Sequence, residues 1–417
     1  MKDVFDVLVV GGGAAGFFTA INIAEKNQHL KIAILEKSNK LLSKVKISGG
    51  GRCNVTNQRE SPSALTKFYP RGEKKLYPVL KQFGTKEMRK WLENHGVEVK
   101  SESDHRVFPM SDSSQTIIDC FLNLTRKFKV DVFQKVNITG LSTLNNHWAV
   151  STNEGSYHSK KLVIATGSAP SFWNLLEESL GLKIASPVPS LFTFNIKDPR
   201  INGLEGIAFK NCVIKVVGSK LQEEGPLLVT HWGMSGPAIL KISARGALTL
   251  SKADYKFNVM INYTGENYQQ VQSHLLNVKE KHPKKHVHNL SLFDIPKRFW
   301  VRLCEYCDIN KEAVFAELSK KQMNRLVEEM AQGLYEVNGK STFKEEFVTA
   351  GGIDLEEIDL NTYEGKRFPN LYLAGEVLNI DALTGGFNFQ ACWSAGWIIS
   401  ESITNHKALH TDDHLSA

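Results

Sequence analysis

The chain is poor in cysteine, with six in 417 residues and no spacing that pairs them into a framework. Small secreted domains rely on dense disulfides, so that class is excluded. The pair Cys304 and Cys307 has no second pair to complete a zinc site, and no metal is expected. Trp300, Leu303, Cys304 and Cys307 share one helical face, which reads as packing. Also missing is any apolar stretch near the roughly 20 residues that a membrane-spanning helix needs. The first residues do not read as a secretory leader. Asp3 and Asp6 stand where a basic region belongs, and glycines interrupt the apolar run. These absences predict a cytoplasmic protein with no membrane partner. Strong charge of either sign is absent too: the formal net charge is +7. The densest basic run, Lys279 to His288, reads as a solvated surface, so no nucleic-acid partner is expected. What remains is an ordinary globular composition, 42% apolar and 23% charged, long enough for about two or three domains.

The most informative segment is VFDVLVVGGGAAGFFTA at the start. Val7 to Val10 is an unbroken aliphatic run, the pattern of a strand buried on both faces of a parallel sheet. Gly11, Gly13 and Gly16 follow as G-x-G-x-x-G, and then Phe17, Ala20, Ile21 and Ile23 recur at helical spacing. In such a unit the glycines allow the turn, the approach of a pyrophosphate and close helix–sheet packing. The helix start, at Ala14 and Ala15, offers free N–H groups to the phosphates. A second strand, Lys31 to Leu35, ends at Glu36, where an acid meets the ribose hydroxyls of a dinucleotide. Order and spacing together predict a dinucleotide site.

Two further glycine clusters lie far along the chain. KVKISGGGRCNVTN, Lys44 to Asn57, reads as a loop that presents Arg52 to a phosphate or an anionic ring. Lys161 to Ser168 reads as a buried strand that brings Ala165, Thr166 and Gly167 to the cofactor side of the sheet. Near the end, Leu371 to Ala374 leads into Gly375-Glu376-Val377, then Gly385 and Gly386 open a helix running from Phe389 to Ile403. There the N–H groups of Gly386, Phe387 and Asn388 would face an anion. Between these clusters, Val130–Phe133, Val136–Leu141 and His147–Thr152 alternate like antiparallel strands. Beyond Ser186 short β-branched runs predict a small sheet or barrel. A lysine-rich helical block follows from about Tyr268, with helices expected at Ile309–Leu318 and Lys321–Met330.

With these strings assembled, the chain resembles the bacterial aminoacetone-oxidase-like FAD-binding proteins. That group of NAD(P)/FAD-dependent oxidoreductases includes bile-acid-pathway reductases. The strings that carry the resemblance are GGGAAG (11–16), ISGGGRCNVTN (47–57), RVFP (106–109), ATGS (165–168), THWGMSGPAIL (230–240), VTAGGI (348–353) and LYLAGEVLNIDALTGGFNFQACWSAG (371–396). The sequence departs from the usual pattern at His105 and over Thr362–Lys366, which bears on substrate class rather than cofactor.

The resemblance implies an α/β fold: a discontinuous Rossmann-like FAD-binding domain of glutathione-reductase type, with an inserted β-barrel and small helical domain. The expected boundaries are 1–188 and 346–417 for the FAD domain, 189–265 and 326–345 for the barrel, and 266–325 for the helical insert. Non-covalent FAD is implied at Gly11, Gly13, Ala14, Ala15, Gly16, Glu36 and Lys37, and at Ser48, Gly49, Gly50, Arg52, Cys53 and Asn54. The same cofactor extends to Ala165, Thr166 and Gly167, and to Gly375, Glu376, Gly385, Gly386, Phe387, Asn388 and Gln390. Cys53 reads as a packing thiol, having no partner cysteine near in sequence. His231, in the glycine-bracketed turn THWGMSGPA, is the candidate proton-transfer residue. No second G-x-G-x-x-G unit accompanies a strand and acid, so NAD(P)H has no dedicated module and stands only as a candidate donor. The expected activity is flavin-dependent oxidoreduction of a small or medium organic substrate. A tRNA-modifying flavoenzyme and a non-catalytic flavin redox sensor are the alternatives.

Overall fold

The computed structural model describes residues 4–144, 147–341 and 348–405. Two compact units divide the chain: residues 1–187 with 348–417, and residues 188–347. The expected 345/346 boundary lies outside the described residues.

In the first unit, the aliphatic run Val4–Val10 is the middle strand of a sheet. Ile32–Glu36 pairs with it on one side and Gly155–Ile164 on the other, both parallel. Asp131–Gln134 and Phe368–Leu373 extend the parallel sheet outward. Val7 to Val10 are all buried, whichever face they point to, which is why this strand reads as a continuous apolar run. Helix Ala14–Lys26 packs so closely on helix Phe387–Asn405 that a Cβ on Gly396 would lie 2.8 Å from Thr19 Oγ1. Phe18 and Trp393 meet at 5.2 Å between ring centroids in the same layer. Residues from both ends of the chain therefore make one core.

The alternation at Val130–Phe133 predicts an antiparallel strand, but Asp131–Gln134 runs parallel to Ile32–Glu36. The antiparallel meander is formed by Ile138–Leu144, His147–Thr152 and Gly155–Ile164. Alternation reports a half-covered strand and carries no information on its partner's direction.

The second unit holds a seven-stranded sheet. Ala208–Val216 pairs antiparallel with Gln222–Thr230 and with Lys256–Asn262. The two ends of the pairing path are consecutive in sequence. Gly333–Asn338 pairs with Lys256–Asn262, and Lys340–Ser341 pairs with Thr193–Asn195. Gly339 joins them at φ +111°, donating to Tyr255 O and accepting from Asn195 N. One bent strand thus closes the sheet into a barrel-like ring.

Helices Tyr268–Lys281, Lys297–Tyr306 and Lys320–Gln332 form the lysine-rich block. The helix expected at Ile309–Leu318 is absent; only Phe315–Glu317 makes a single 3-10 turn. Here the chain runs back along 283–287, with Val287 N donating to Ala313 O and Phe315 N donating to Lys285 O. Tertiary pairing overrides the local helical period. Among the described residues no helix is long and apolar enough to cross a membrane.

Candidate functional site

The first strand ends at Gly11, whose φ of +116° turns the chain toward the helix. A Cβ there would sit 2.3 Å from Ala165 O, so only glycine fits against the neighbouring strand end. Gly16 is equally constrained, since its Cβ would lie 1.9 Å from Gly11 O. Gly13 differs: nothing stands within 4 Å of where its Cβ would be. It is the N-cap of helix Ala14–Lys26, which has no side-chain cap and no acid in its first turn. The first N–H groups of that helix are thus left for an external acceptor, where the helix dipole favours an anion.

Beside this opening, Glu36 accepts the Gly12 N–H at 2.7 Å and the Ser38 N–H at 2.8 Å. These bonds aim a carboxylate along the end of its strand. A cavity of about 550 Å³ lies here, with Gly11, Glu36, Lys37 and Thr166 among its lining residues. Thr166 Oγ1 is buried with no hydrogen-bond partner. An orphaned hydroxyl of this kind calls for a missing polar group. The cavity, the uncapped helix start, the aimed carboxylate and the unpartnered hydroxyl fit the adenosine and pyrophosphate portion of a dinucleotide. Sequence reasoning missed Asn137, Ser171, Asn174 and Glu178, which also line the cavity. No local signal marks them, because they reach it from the meander and from helix Pro170–Leu180.

The remaining expected residues gather at a second place in the same unit. Ser48, Gly49 and Gly50 break helix Ser43–Gly51, with φ/ψ outside the helical range. The expected loop is therefore a kinked turn following a short helix. Asn54, with its amide oriented by its partners, donates to Thr56 O and accepts from Gly386 N, each at 2.9 Å. Asn57 Nδ2 donates to Gly385 O at 2.9 Å, and Tyr69 OH donates to Phe387 O at 2.8 Å. A Cβ on Gly386 would fall 2.4 Å from Thr56 O, so the two segments are in backbone contact. Glu376 accepts from Ser168 Oγ at 3.0 Å and pairs with Lys44. The Ser48–Asn54 and Gly375–Gln390 segments are brought together as one wall, but they do not line the cavity at Glu36.

Several expected ligands have other work within this wall. Arg52, expected at the pyrophosphate, directs Nη1 to Glu102 at 2.6 Å and to Asp112 at 3.4 Å. Its guanidinium lies 4.0 Å from the centre of the Phe108 ring. Two acids and a ring hold it in place, so Arg52 braces the turn. Gln390 accepts from Thr56 Oγ1 at 2.6 Å and donates to Phe83 O and Ser394 Oγ, leaving its amide fully engaged. Asn388 bonds both polar atoms of its amide to Ala382. The amide of Gly386 is taken by Asn54, so of the three N–H groups expected to face an anion this one serves the wall. Cys53 is fully buried, and burial pushes its thiol up to about 12. It is a neutral packing group at physiological pH. Arg71 pairs with the buried Asp381, fixing the turn before Gly385; nothing in the local sequence announces that pair.

His231 belongs to the other unit. It stands in the tight turn between Gln222–Thr230 and Gly233–Ser235, with its side chain 84% exposed and Nδ1 3.9 Å from Glu205 Oε1. Its neighbour Trp232 is also exposed. Gly233 cannot carry a side chain, since a Cβ would meet Phe194 O at 2.3 Å. The turn thus sits in close backbone contact with Thr193–Asn195, beneath two exposed rings.

A family model described as "HI0933-like protein Rossmann domain" matches residues 5–402. A ribosomal RNA dihydrouridine synthase of Escherichia coli is 26% identical over 414 residues, covering 97% of this chain and 99% of that protein. A 3-dehydro-bile acid delta(4,6)-reductase of Clostridium scindens is 25% identical over 400 residues, covering 94% and 97%. Among solved structures, a 3-ketosteroid-delta4-(5alpha)-dehydrogenase of Rhodococcus jostii matches with a TM-score of 0.52 at 14% identity, covering 97% of each chain. That likeness concerns the fold.

Proposed function

The chain belongs to the HI0933-like Rossmann family, and from that membership we propose that it is an FAD-dependent reductase of a carbon–carbon double bond conjugated to a carbonyl, with uracil in RNA as its substrate class. The observation that carries this reading is the near full-length similarity to ribosomal RNA dihydrouridine synthases, 26% and 25% identical over 97% of the chain. Dihydrouridine is uridine whose C5–C6 double bond, conjugated to the C4 carbonyl, has been saturated. The bile-acid reductase is named for the same kind of change in a different molecule. The expectation that nucleic acid is no partner is withdrawn on these relatives. The expected runner-up, RNA modification, becomes the leading reading, with ribosomal RNA in place of tRNA.

In this reading Glu36 takes the ribose hydroxyls, the open helix start at Gly13 takes the pyrophosphate, and Thr166 Oγ1 supplies a further hydrogen bond. Bound FAD supplies two-electron transfer between a nicotinamide donor and the substrate. The Asn54–Gly386 wall would hold the ring system of that cofactor. Saturating the double bond adds a hydride at one carbon and a proton at the other, and on the sequence motif THWGMSGPA alone we propose His231 as the proton-transfer residue. NADH or NADPH is the proposed donor, binding without a Rossmann module of its own.

The competing reading, suggested by the aminoacetone-oxidase-like resemblance, is amine oxidation, which reverses the direction of electron flow. Anaerobic mixing separates the two. NADH or NADPH should bleach the flavin, and unmodified ribosomal RNA transcripts should restore its colour while gaining two hydrogens per modified uridine. Bleaching by amines, with no recovery on RNA, would overturn the proposal. Recovery only on a 3-oxo-4-ene steroid would move the substrate to the bile-acid class.

A further inference from the structure

The excess of positive charge is concentrated in the second unit. Residues 188–347 carry 22 Lys and Arg against 17 Asp and Glu, a net +5 of the chain's +7. Much of it stands at one end of the helical block. Helix Tyr268–Lys281 ends in Lys279 and Lys281, and Lys284 and Lys285 follow in the next loop. Lys281, His282, Lys284 and Lys285 are all exposed.

This loop is fixed to its neighbour. Ala316 N donates to Pro283 O, Phe315 N to Lys285 O and Val287 N to Ala313 O. His286 Nδ1 meets Glu312 O at 2.8 Å, and Lys279 Nζ donates to Leu318 O at 2.7 Å. Leu318 directly precedes Ser319, the N-cap of helix Lys320–Gln332. The exposed Lys320 and Lys321 of that helix's first turn therefore belong to the same face.

Two features distinguish this face from an ordinary solvated one. Lys320 and Lys321 occupy a helix N-terminus, where the dipole disfavours cations, and no acid shares that first turn. The folded protein bears an electrostatic cost that a polyanion would relieve. The acids near these lysines are Glu280, Glu312 and Glu317, and Glu317 is turned back to accept the Val314 N–H at 3.2 Å; Glu328 and Glu329 lie two turns further along helix Lys320–Gln332.

We infer that Lys281, Lys284, Lys285, Lys320 and Lys321 form a docking ridge for an RNA phosphodiester backbone. The inference rests on the RNA reading above and adds to it where the substrate is gripped. Phosphate contacts of this kind set position and salt dependence without reading sequence. The uracil to be reduced is then chosen elsewhere.

The test uses the yellow, FAD-loaded full chain and fluorescein-labelled transcripts of ribosomal RNA fragments, titrated at several salt concentrations. Lys281→Glu/Lys284→Glu/Lys285→Glu should weaken binding at least tenfold. The slope of log K against log salt should become shallower by about 2, at about 0.7 per lost single-strand phosphate contact. Lys320→Gln/Lys321→Gln, which relieves the helix N-terminus, should melt no lower than the parent yet also bind more weakly. Flavin bleaching by NADH or NADPH should match the parent in both variants. If the parent reduces RNA and both variants bind with unchanged affinity and slope, the ridge is wrong and the RNA reading stands. If the parent neither binds nor reduces RNA, both are wrong.

Discussion

Thr56 donates its hydroxyl to Oε1 of Gln390 at 2.6 Å across 334 residues of chain, with both side chains buried. This bond ties the second glycine cluster to the last helix, in the layer where Asn54 meets Gly386. Replacing Thr56 with Val leaves a buried carbonyl oxygen unpaired and should cost about 1–3 kcal/mol. Thermal melting of Thr56→Val, Gln390→Leu and the double variant checks this. The double variant should lose less than the sum of the singles, and all three should release FAD more readily during gel filtration.

Gly13→Asp separates cofactor loss from unfolding. The new Cβ enters open space, and aspartate is at least as good an N-cap as glycine. The apoprotein should therefore melt within about 1 kcal/mol of the parent apoprotein. The carboxylate would face the pyrophosphate, so the purified variant should be colourless and refuse FAD on reconstitution. A yellow preparation would remove the pyrophosphate from this helix.

The buried thiol of Cys53 gives a pH prediction. Its folded-state value, pushed up to about 12 by burial, lies above the 9.0 of an open thiol. The folded state therefore holds its proton longer than the unfolded chain does. Its contribution to stability is complete below about pH 9 and declines as pH rises toward 12. Urea unfolding of the parent and Cys53→Ala between pH 8 and 10.5 should show a smaller loss for the variant. Iodoacetamide at pH 8 should leave Cys53 of the native protein unlabelled, and Cys53→Ala should reduce flavin at the parental rate.

His231 is exposed, so His231→Gln should leave the melting temperature and FAD content unchanged. If His231 is the proton-transfer residue, its loss should cost about 10²–10⁴ in rate. Substrate-dependent recovery of the bleached flavin should slow by that order, with the bleaching step itself unaffected. Equal recovery rates would take His231 out of the mechanism.

The parts of the site legible in the sequence are those encoded within one strand–turn–helix unit. Gly11 turns the chain, Gly16 sits in tight backbone contact and Gly13 faces open space, because a local backbone path decides all three. Arg52 is the opposite case, since the contacts that hold it are not local. Its acid partners lie 50 and 60 residues further on, and nothing near Arg52 announces them. The internal partners of Gln390 and Asn388 are likewise invisible to spacing. In the insert, the β-branched runs marked the strands, but the closing of the sheet at Gly339 depends on two pairings at once. The period over Ile309–Leu318 was real but subordinate to pairing with 283–287.

Leu162 to Ile164 pair with Leu371 to Leu373, and the whole second unit is threaded between these strands. On a ribosome adding about 5–20 residues per second, the earlier strand emerges roughly 10–40 s before its partner exists. During that interval the nascent sheet offers an unpaired apolar margin, and helix Ala14–Lys26 has no Phe387–Asn405 to cover it. Such a margin invites pairing with the wrong chain. Nascent-chain profiling should find chaperone occupancy rising after residue 164 emerges and falling once residue 405 has cleared the exit tunnel.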